Sequence, residues 1–135
     1  MKKTGLAALI VMMFIIQGCV EDSQPLECSN DIGCTEVFVT FTYAPTDNQG
    51  NAIILDSYYS QNLDNGQTYS FVEEDVQLNQ GLYTVITDAQ MDQLASSGTG
   101  IRFIGLKNDE IVLQQDFVIG HDCCHIVPVQ GPGID

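Results

Sequence analysis

From residue 37 onward, apolar and polar positions alternate with a period of two along much of the chain. Val37-Phe38-Val39-Thr40-Phe41-Thr42-Tyr43 is rich in β-branched and aromatic residues, and Val37, Val39, Phe41 and Tyr43 fall on one face of a strand. Pro45 and the run Thr46-Asp47-Asn48-Gln49-Gly50-Asn51 supply turn chemistry. Strand patterns follow over Ala52–Ser57, Tyr69–Val72 and Leu82–Thr87, with Asp64-Asn65-Gly66 as a turn between the first two. Asp88–Ala95 is the one helix candidate, capped by Thr87 or Asp88 and stopped before Gly98. At two turns it is a crossover and not a scaffold. Ile101–Leu106 and Ile111–Ile119 then form a hairpin around Lys107-Asn108-Asp109-Glu110, and His125–Val129 is the last strand. Pro128 places that strand at a sheet edge, because proline has no amide for the ladder.

About seven short strands with one helical crossover between the fourth and fifth predict an all-β domain, a single antiparallel sandwich of immunoglobulin-like architecture. An up-and-down barrel is the second choice, and it needs an eighth strand that the pattern does not supply. The chain has no tryptophan, and its cysteines are not spaced for an antibody-type bridge across the core. The predicted domain spans 36–130, and the Gly131-Pro132-Gly133 tail (131–135) reads as loose.

The N-terminus breaks the alternation. Lys2 and Lys3 precede eleven apolar residues, Leu6 to Ile16, and then Gln17-Gly18-Cys19. The apolar run is short for a bilayer span, which takes about 20 residues, and fits a signal-peptide core of about 7–15. Charge, length and cysteine together resemble a bacterial lipoprotein signal peptide over residues 1–18. The resemblance implies cleavage before Cys19 and acylation of that cysteine, with more than one acyl chain giving a firm anchor. Val20 in place of an aspartate argues against inner-membrane retention, and Glu21-Asp22 resembles a short surface-export tag. The expected location is therefore the outer membrane, lipid-anchored, facing the cell exterior or the periplasm. Residues 19–35, polar and aperiodic with Pro25, read as a lipidated tether.

Processing sharpens the charge. Of four cations, Lys2 and Lys3 leave with the signal, so Arg102 and Lys107 face 18 carboxylates, a net charge of −16. Nucleic acid and anionic headgroups repel such a surface. Solubility accounts for the acidity, and a cationic partner or divalent ions would also suit it. Lipidation of Cys19 leaves four of the five cysteines: Cys28, Cys34, Cys123 and Cys124. In an exported protein an even set reads as disulfides, and four allow three pairings. A Cys123–Cys124 bond closes a strained ring and is rare. The other two pairings join the tether to the last strand, as Cys28–Cys124 with Cys34–Cys123 or the reverse.

The first strand, the Asp47–Gly50 turn and Ile53–Asp56 resemble the opening of carboxypeptidase-regulatory-like, or transthyretin-like, sandwich modules. The run Phe117-Val118-Ile119-Gly120-His121-Asp122-Cys123-Cys124-His125 resembles the C-terminal signature of small bacterial outer-membrane lipoproteins. Over residues 34–130 this resemblance implies a surface or periplasmic sandwich and no enzymatic activity.

One cluster can bind metal. On a strand, His121, Cys123 and His125 would share a face, and zinc or copper takes imidazole and thiolate. Oxidation of the cysteines would leave only two histidines beside a staple. Glu73-Glu74-Asp75 reads as a solvated loop, and Asp47, Asn48 and Gly50 form only part of a calcium loop. Asp56 with Asp116 has no spacing that singles it out as an acid–base pair, and Ser96-Ser97 lacks a nucleophile elbow. Tyr43, Tyr58 and Tyr59 are candidates for an exposed binding patch. No catalytic residues emerge. The chain reads as a non-enzymatic binding or accessory module whose partners are the membrane, through its anchor, and an unidentified protein or ligand outside the cell. The alternatives are an inhibitor of a cationic hydrolase of lysozyme type and a metal-binding lipoprotein that uses the His121–His125 cluster.

Overall fold

A computed structural model describes residues 28, 31–71 and 80–134. The signal-peptide reading, Cys19, most of the tether and Glu73-Glu74-Asp75 lie outside the described residues. The described chain is all-β. In order it forms β1 (Thr40–Tyr43), β2 (Ser57–Asn62), β3 (Thr68–Tyr69), β4 (Tyr83–Thr87), a 3-10 helix (Asp88–Gln93), β5 (Thr99–Lys107), β6 (Glu110–His121) and β7 (Ile126–Gln130). Two antiparallel sheets result. One is β1-β4, and the other runs β3-β2-β5-β6-β7, with β7 and its Pro128 at the edge.

The two sheets share an aromatic core. Phe41 and Tyr43 of β1 meet Phe117 of β6 edge-on, at centroid distances of 5.3 and 5.2 Å, and Tyr43 also meets Phe103 of β5. Tyr58 of β2 stacks on Phe103 and touches Tyr83 of β4. Tyr83 is fully buried, yet its hydroxyl is satisfied twice: it donates to the Ile53 carbonyl (2.9 Å) and accepts from the Leu55 amide (2.8 Å). Burial raises the Tyr83 pKa, so the phenol stays neutral and remains a donor. Tyr58 and Tyr43 thus belong to the core and not to a binding patch, whereas Tyr59 lies on the opposite face of β2 from Tyr58. Tyr58 is buried, and Tyr43 and Tyr59 are half-buried.

Several elements differ from the sequence pattern, and the first strand begins only at Thr40, with Val37 and Phe38 exposed ahead of it. Around Ala52 the chain makes only an isolated bridge, Thr46 to Ala52, and the regular strand starts at Ser57. Its inward positions are Tyr58, Ser60 and Asn62, and two of those three are polar, which hides the alternation. Asn62 is tolerated there because its oxygen accepts the Asp64 amide (2.9 Å) and its nitrogen reaches the Gln93 carbonyl (3.3 Å). The helical turn is 3-10 over Asp88–Gln93. Thr87 caps it, and its capping box with Gln90 takes the role that Asp88 could have filled. The tail is not loose, since Ile134 turns back through its amide onto the Gly131 carbonyl (3.2 Å) and packs on the core.

The β5–β6 hairpin follows its sequence closely. Asn108 (φ 50°) and Asp109 (φ 63°) form a two-residue loop with both residues left-handed, the geometry that matches strand twist. At the opposite end of β6, Gly120 lets the 94–98 loop approach. A Cβ at that position would sit 2.5 Å from the Ser96 carbonyl oxygen.

Candidate functional site

The cysteine–histidine cluster is a turn and not a strand face. β6 ends at His121 and β7 begins at Ile126, so Asp122–His125 reverse the chain. Local bonds build the turn. The Asp122 carboxylate accepts the Cys124 amide (3.0 Å) and the His125 amide (2.8 Å), and the Asp122 amide donates to the His125 carbonyl (3.0 Å). The amides of His125 and Cys124 hold the Asp122 carboxyl below its ordinary range. Cys123 takes a left-handed φ of 79°, which is uncommon for a residue with a side chain.

Two disulfides bind this turn to the N-terminal segment: Cys28–Cys123 and Cys34–Cys124, each with Cα atoms 5.3 Å apart. This is the second of the two arrangements that the sequence left open. The bridges span 95 and 90 residues and close nearly the same loop.

The two histidines part company. The Cys123 amide donates to His121 Nδ1 (3.2 Å), and one ring nitrogen of His121 lies within 4.8 Å of both the Cys28 and the Cys123 sulfur. His125 is engaged elsewhere through both ring nitrogens. Nδ1 is 2.8 Å from Asp88 Oδ2, and Nε2 is 2.9 Å from the Thr35 hydroxyl. The expected trio of His121, Cys123 and His125 is therefore not what the fold assembles. Cys28 stands where His125 was expected, because the turn directs the His125 ring toward the 3-10 helix.

Asp88 organises the neighbourhood. Its Oδ1 accepts the Ile126 amide and its Oδ2 the Val39 amide, both at 2.8 Å, in addition to the imidazole. The Asp88 amide donates back to the Val39 carbonyl (3.0 Å). With the Asp88 side chain 11% exposed, burial would raise its pKa, but the amides of Ile126 and Val39 and the His125 ring outweigh that and hold it low. One carboxylate thus joins the start of β7, the approach to β1 and the helix. The sequence offered no signal for this role beyond a possible cap, and Thr35 lies 90 residues from His125.

The Asp88–His125–Thr35 order matches a hydroxyl–imidazole–carboxylate relay. A surface groove of about 270 Å³ is lined by Leu63, Gly100, Phe117 and Val118, and another of about 410 Å³ by Phe41, Tyr43 and Pro132, and Thr35, His125 and Asp88 line neither. The chain of bonds acts as a clamp that holds the segment after Cys34 against the domain.

The remaining candidates are committed elsewhere. Asp47 folds its own turn, with Oδ1 accepting the Gln49 and Asn51 amides. Asp56 accepts the Asn108 amide (2.7 Å), and Asp116 holds Arg102 through two 2.7 Å bonds. Among the described residues, no helix is long and apolar enough to cross a membrane. No family model, curated protein or solved structure matches the chain.

Proposed function

We propose that the chain is a non-enzymatic binding or accessory module, an immunoglobulin-like sandwich carried on the bacterial outer membrane by a lipid on Cys19. The observation that carries this reading is the double staple. Two structural disulfides belong in an oxidising compartment outside the cytosol, as the lipoprotein-like N-terminus requires. They also give the tether a defined end. Only nine chain steps separate Cys19 from Cys28, a reach of about 30 Å at full extension. The stapled turn would then face the membrane, and the β5–β6 hairpin at the other end of β6 would point away from it. Fractionation tests the anchor: Cys19→Ser should move the protein from membranes to the soluble fraction. Continued membrane association of that variant would refute the anchor.

One observation favours an inhibitor of a cationic hydrolase as the second reading. Both cations of the processed chain are engaged internally, Arg102 with Asp116 and Lys107 with the Ile54 carbonyl (3.3 Å). The outward field is dominated by the carboxylates, which far outnumber these two cations and steer basic proteins. Retention of lysozyme at low salt, lost at high salt, is the expected result. No retention at low salt would remove this reading and leave the anchor reading intact.

A further inference from the structure

We infer that Ile32, Val37 and Phe38 form a membrane-contact patch, a reversible hold on a zwitterionic lipid surface beside the covalent one; the inference rests on the lipid anchor at Cys19. Among the described residues eight large apolar side chains are exposed, and these three fall within one seven-residue stretch. Val37 and Phe38 are 64% and 61% exposed. The β1–β4 ladder begins only at Thr40, so both residues lie ahead of the strand and outside the core. Single exposed apolar residues are ordinary, whereas a run of them marks a surface that meets another apolar phase.

What this surface meets follows from how the chain is tied. Cys34 is bonded to Cys124, the Thr35 hydroxyl lies 2.9 Å from His125 Nε2, and the Val39 amide donates to Asp88 (2.8 Å). These bonds hold the stretch at the end of the molecule where β6 gives way to β7. Cys28 is bonded to the same turn and stands nine residues from Cys19. A flexible chain of that length has an r.m.s. span of about 15–20 Å. A lipid on Cys19 therefore keeps the stapled end close to the headgroups. Apolar exposure alone does not choose this end, since Ile111 and Val112 are exposed as well. They lie at the hairpin end of β6, about 30–35 Å from His121 at about 3.4 Å per residue. The tether is what separates the two patches.

The side chains of the stretch select the lipid. Residues 28–39 contain no lysine or arginine, and their charges are Asp31 and Glu36. Anionic headgroups repel such a segment, and the excess of carboxylates over the whole chain adds to the repulsion. A zwitterionic surface carries no such penalty and takes a phenyl ring and two aliphatic side chains into its interface. A weak partition is enough, because a short linker raises the effective concentration of the patch at the surface to about the millimolar range. The contact fixes the orientation of the domain, with the stapled turn against the lipid and the β5–β6 hairpin outward.

The test supplies the tether chemically, so it stands whether or not the cell acylates Cys19. The processed chain from Cys19 to Asp135, with both disulfides formed, is coupled through the Cys19 thiol to a maleimide-bearing lipid in phosphatidylcholine vesicles. The sequence has no tryptophan, so Phe38→Trp places a single indole in the patch and Ile111→Trp a single indole at the hairpin. Phosphatidylcholine brominated in its acyl chains should quench the Phe38→Trp emission at least twofold, with the maximum shifted to shorter wavelength, and leave the Ile111→Trp emission unchanged. Adding Ile32→Ser and Val37→Ser to the Phe38→Trp chain should halve the quenching while circular dichroism keeps the sheet signal. Adding phosphatidylglycerol should weaken the quenching, and salt should restore it. Equal quenching of the two reporters, quenching of neither, quenching indifferent to Ile32→Ser and Val37→Ser, or quenching that grows with phosphatidylglycerol overturns the inference. So does a wavelength shift that appears without vesicles as protein concentration rises, which assigns the patch to a second copy of the chain. Fractionation of Cys19→Ser judges the anchor separately, so the failure of either reading is seen on its own.

Discussion

Asp88 shows how a single carboxylate can hold separate parts of a small domain. It satisfies two backbone amides and an imidazole while only 11% exposed. An asparagine there would turn its NH2 toward at least one of three donors, leaving a buried clash of like groups. Asp88→Asn should therefore cost about 1–3 kcal/mol near neutral pH, read as a lower urea midpoint with disulfides intact. The pH dependence follows from the lowered pKa. A depressed carboxyl adds stability above its unfolded value, about 3.9, and loses it as pH falls through the folded one. The wild type should weaken as pH drops below about 4, and Asp88→Asn should show a shallower decline. Equal slopes for the two proteins would show that Asp88 is not the responsible group. Little of this was legible in the sequence. Capping rules identified Asp88 and Thr87 as competitors, and only the fold shows that Thr87 takes the cap and releases Asp88 for distant partners. His121 and His125 looked like a pair because strand spacing was assumed where the chain turns.

Elements were legible where local chemistry decides them. The hairpin at Lys107–Glu110 has turn residues, flanking alternation and two-residue length, and it forms as expected, with both loop residues left-handed. Asp109 is the weaker choice there, since glycine reaches that conformation without a Cβ penalty. Asp109→Gly should raise stability by about 0.5–1 kcal/mol, seen as an increase in Tm of a few degrees. A lower Tm would mean that the aspartate makes a compensating contact. β2 was illegible for the opposite reason. Its inward face carries Ser60 and Asn62, so burial runs against residue type, and the apolar signal at Ile53 and Leu55 belongs to a segment held by the Tyr83 hydroxyl instead of a ladder. The Ser60 hydroxyl is buried without a hydrogen-bond partner, a position that no hydropathy pattern would assign to a core.

At the scale of the whole molecule, the all-β class and the two antiparallel sheets follow from strand spacing, whereas the choice between two disulfide pairings needed the fold. The consequence of that pairing is cooperative. Cys28–Cys123 and Cys34–Cys124 each close a loop of at least 90 residues, but they close nearly the same one. In the chain-entropy model the first bridge formed is worth about 4–5 kcal/mol. The second then closes only a small ring, through the seven residues from Cys28 to Cys34 and the Cys123-Cys124 pair, worth about 2–3 kcal/mol. Loss of either bridge should therefore cost about 2–3 kcal/mol, and loss of both about 7, more than the two single losses added together. Urea midpoints of Cys28→Ala with Cys123→Ala, of Cys34→Ala with Cys124→Ala, and of all four changes together measure this directly. Simple additivity would mean that the bridges act through local strain and contacts instead of loop closure. With one bridge intact, opening the other removes the smaller share of the closure free energy, so the domain stays assembled on a single staple.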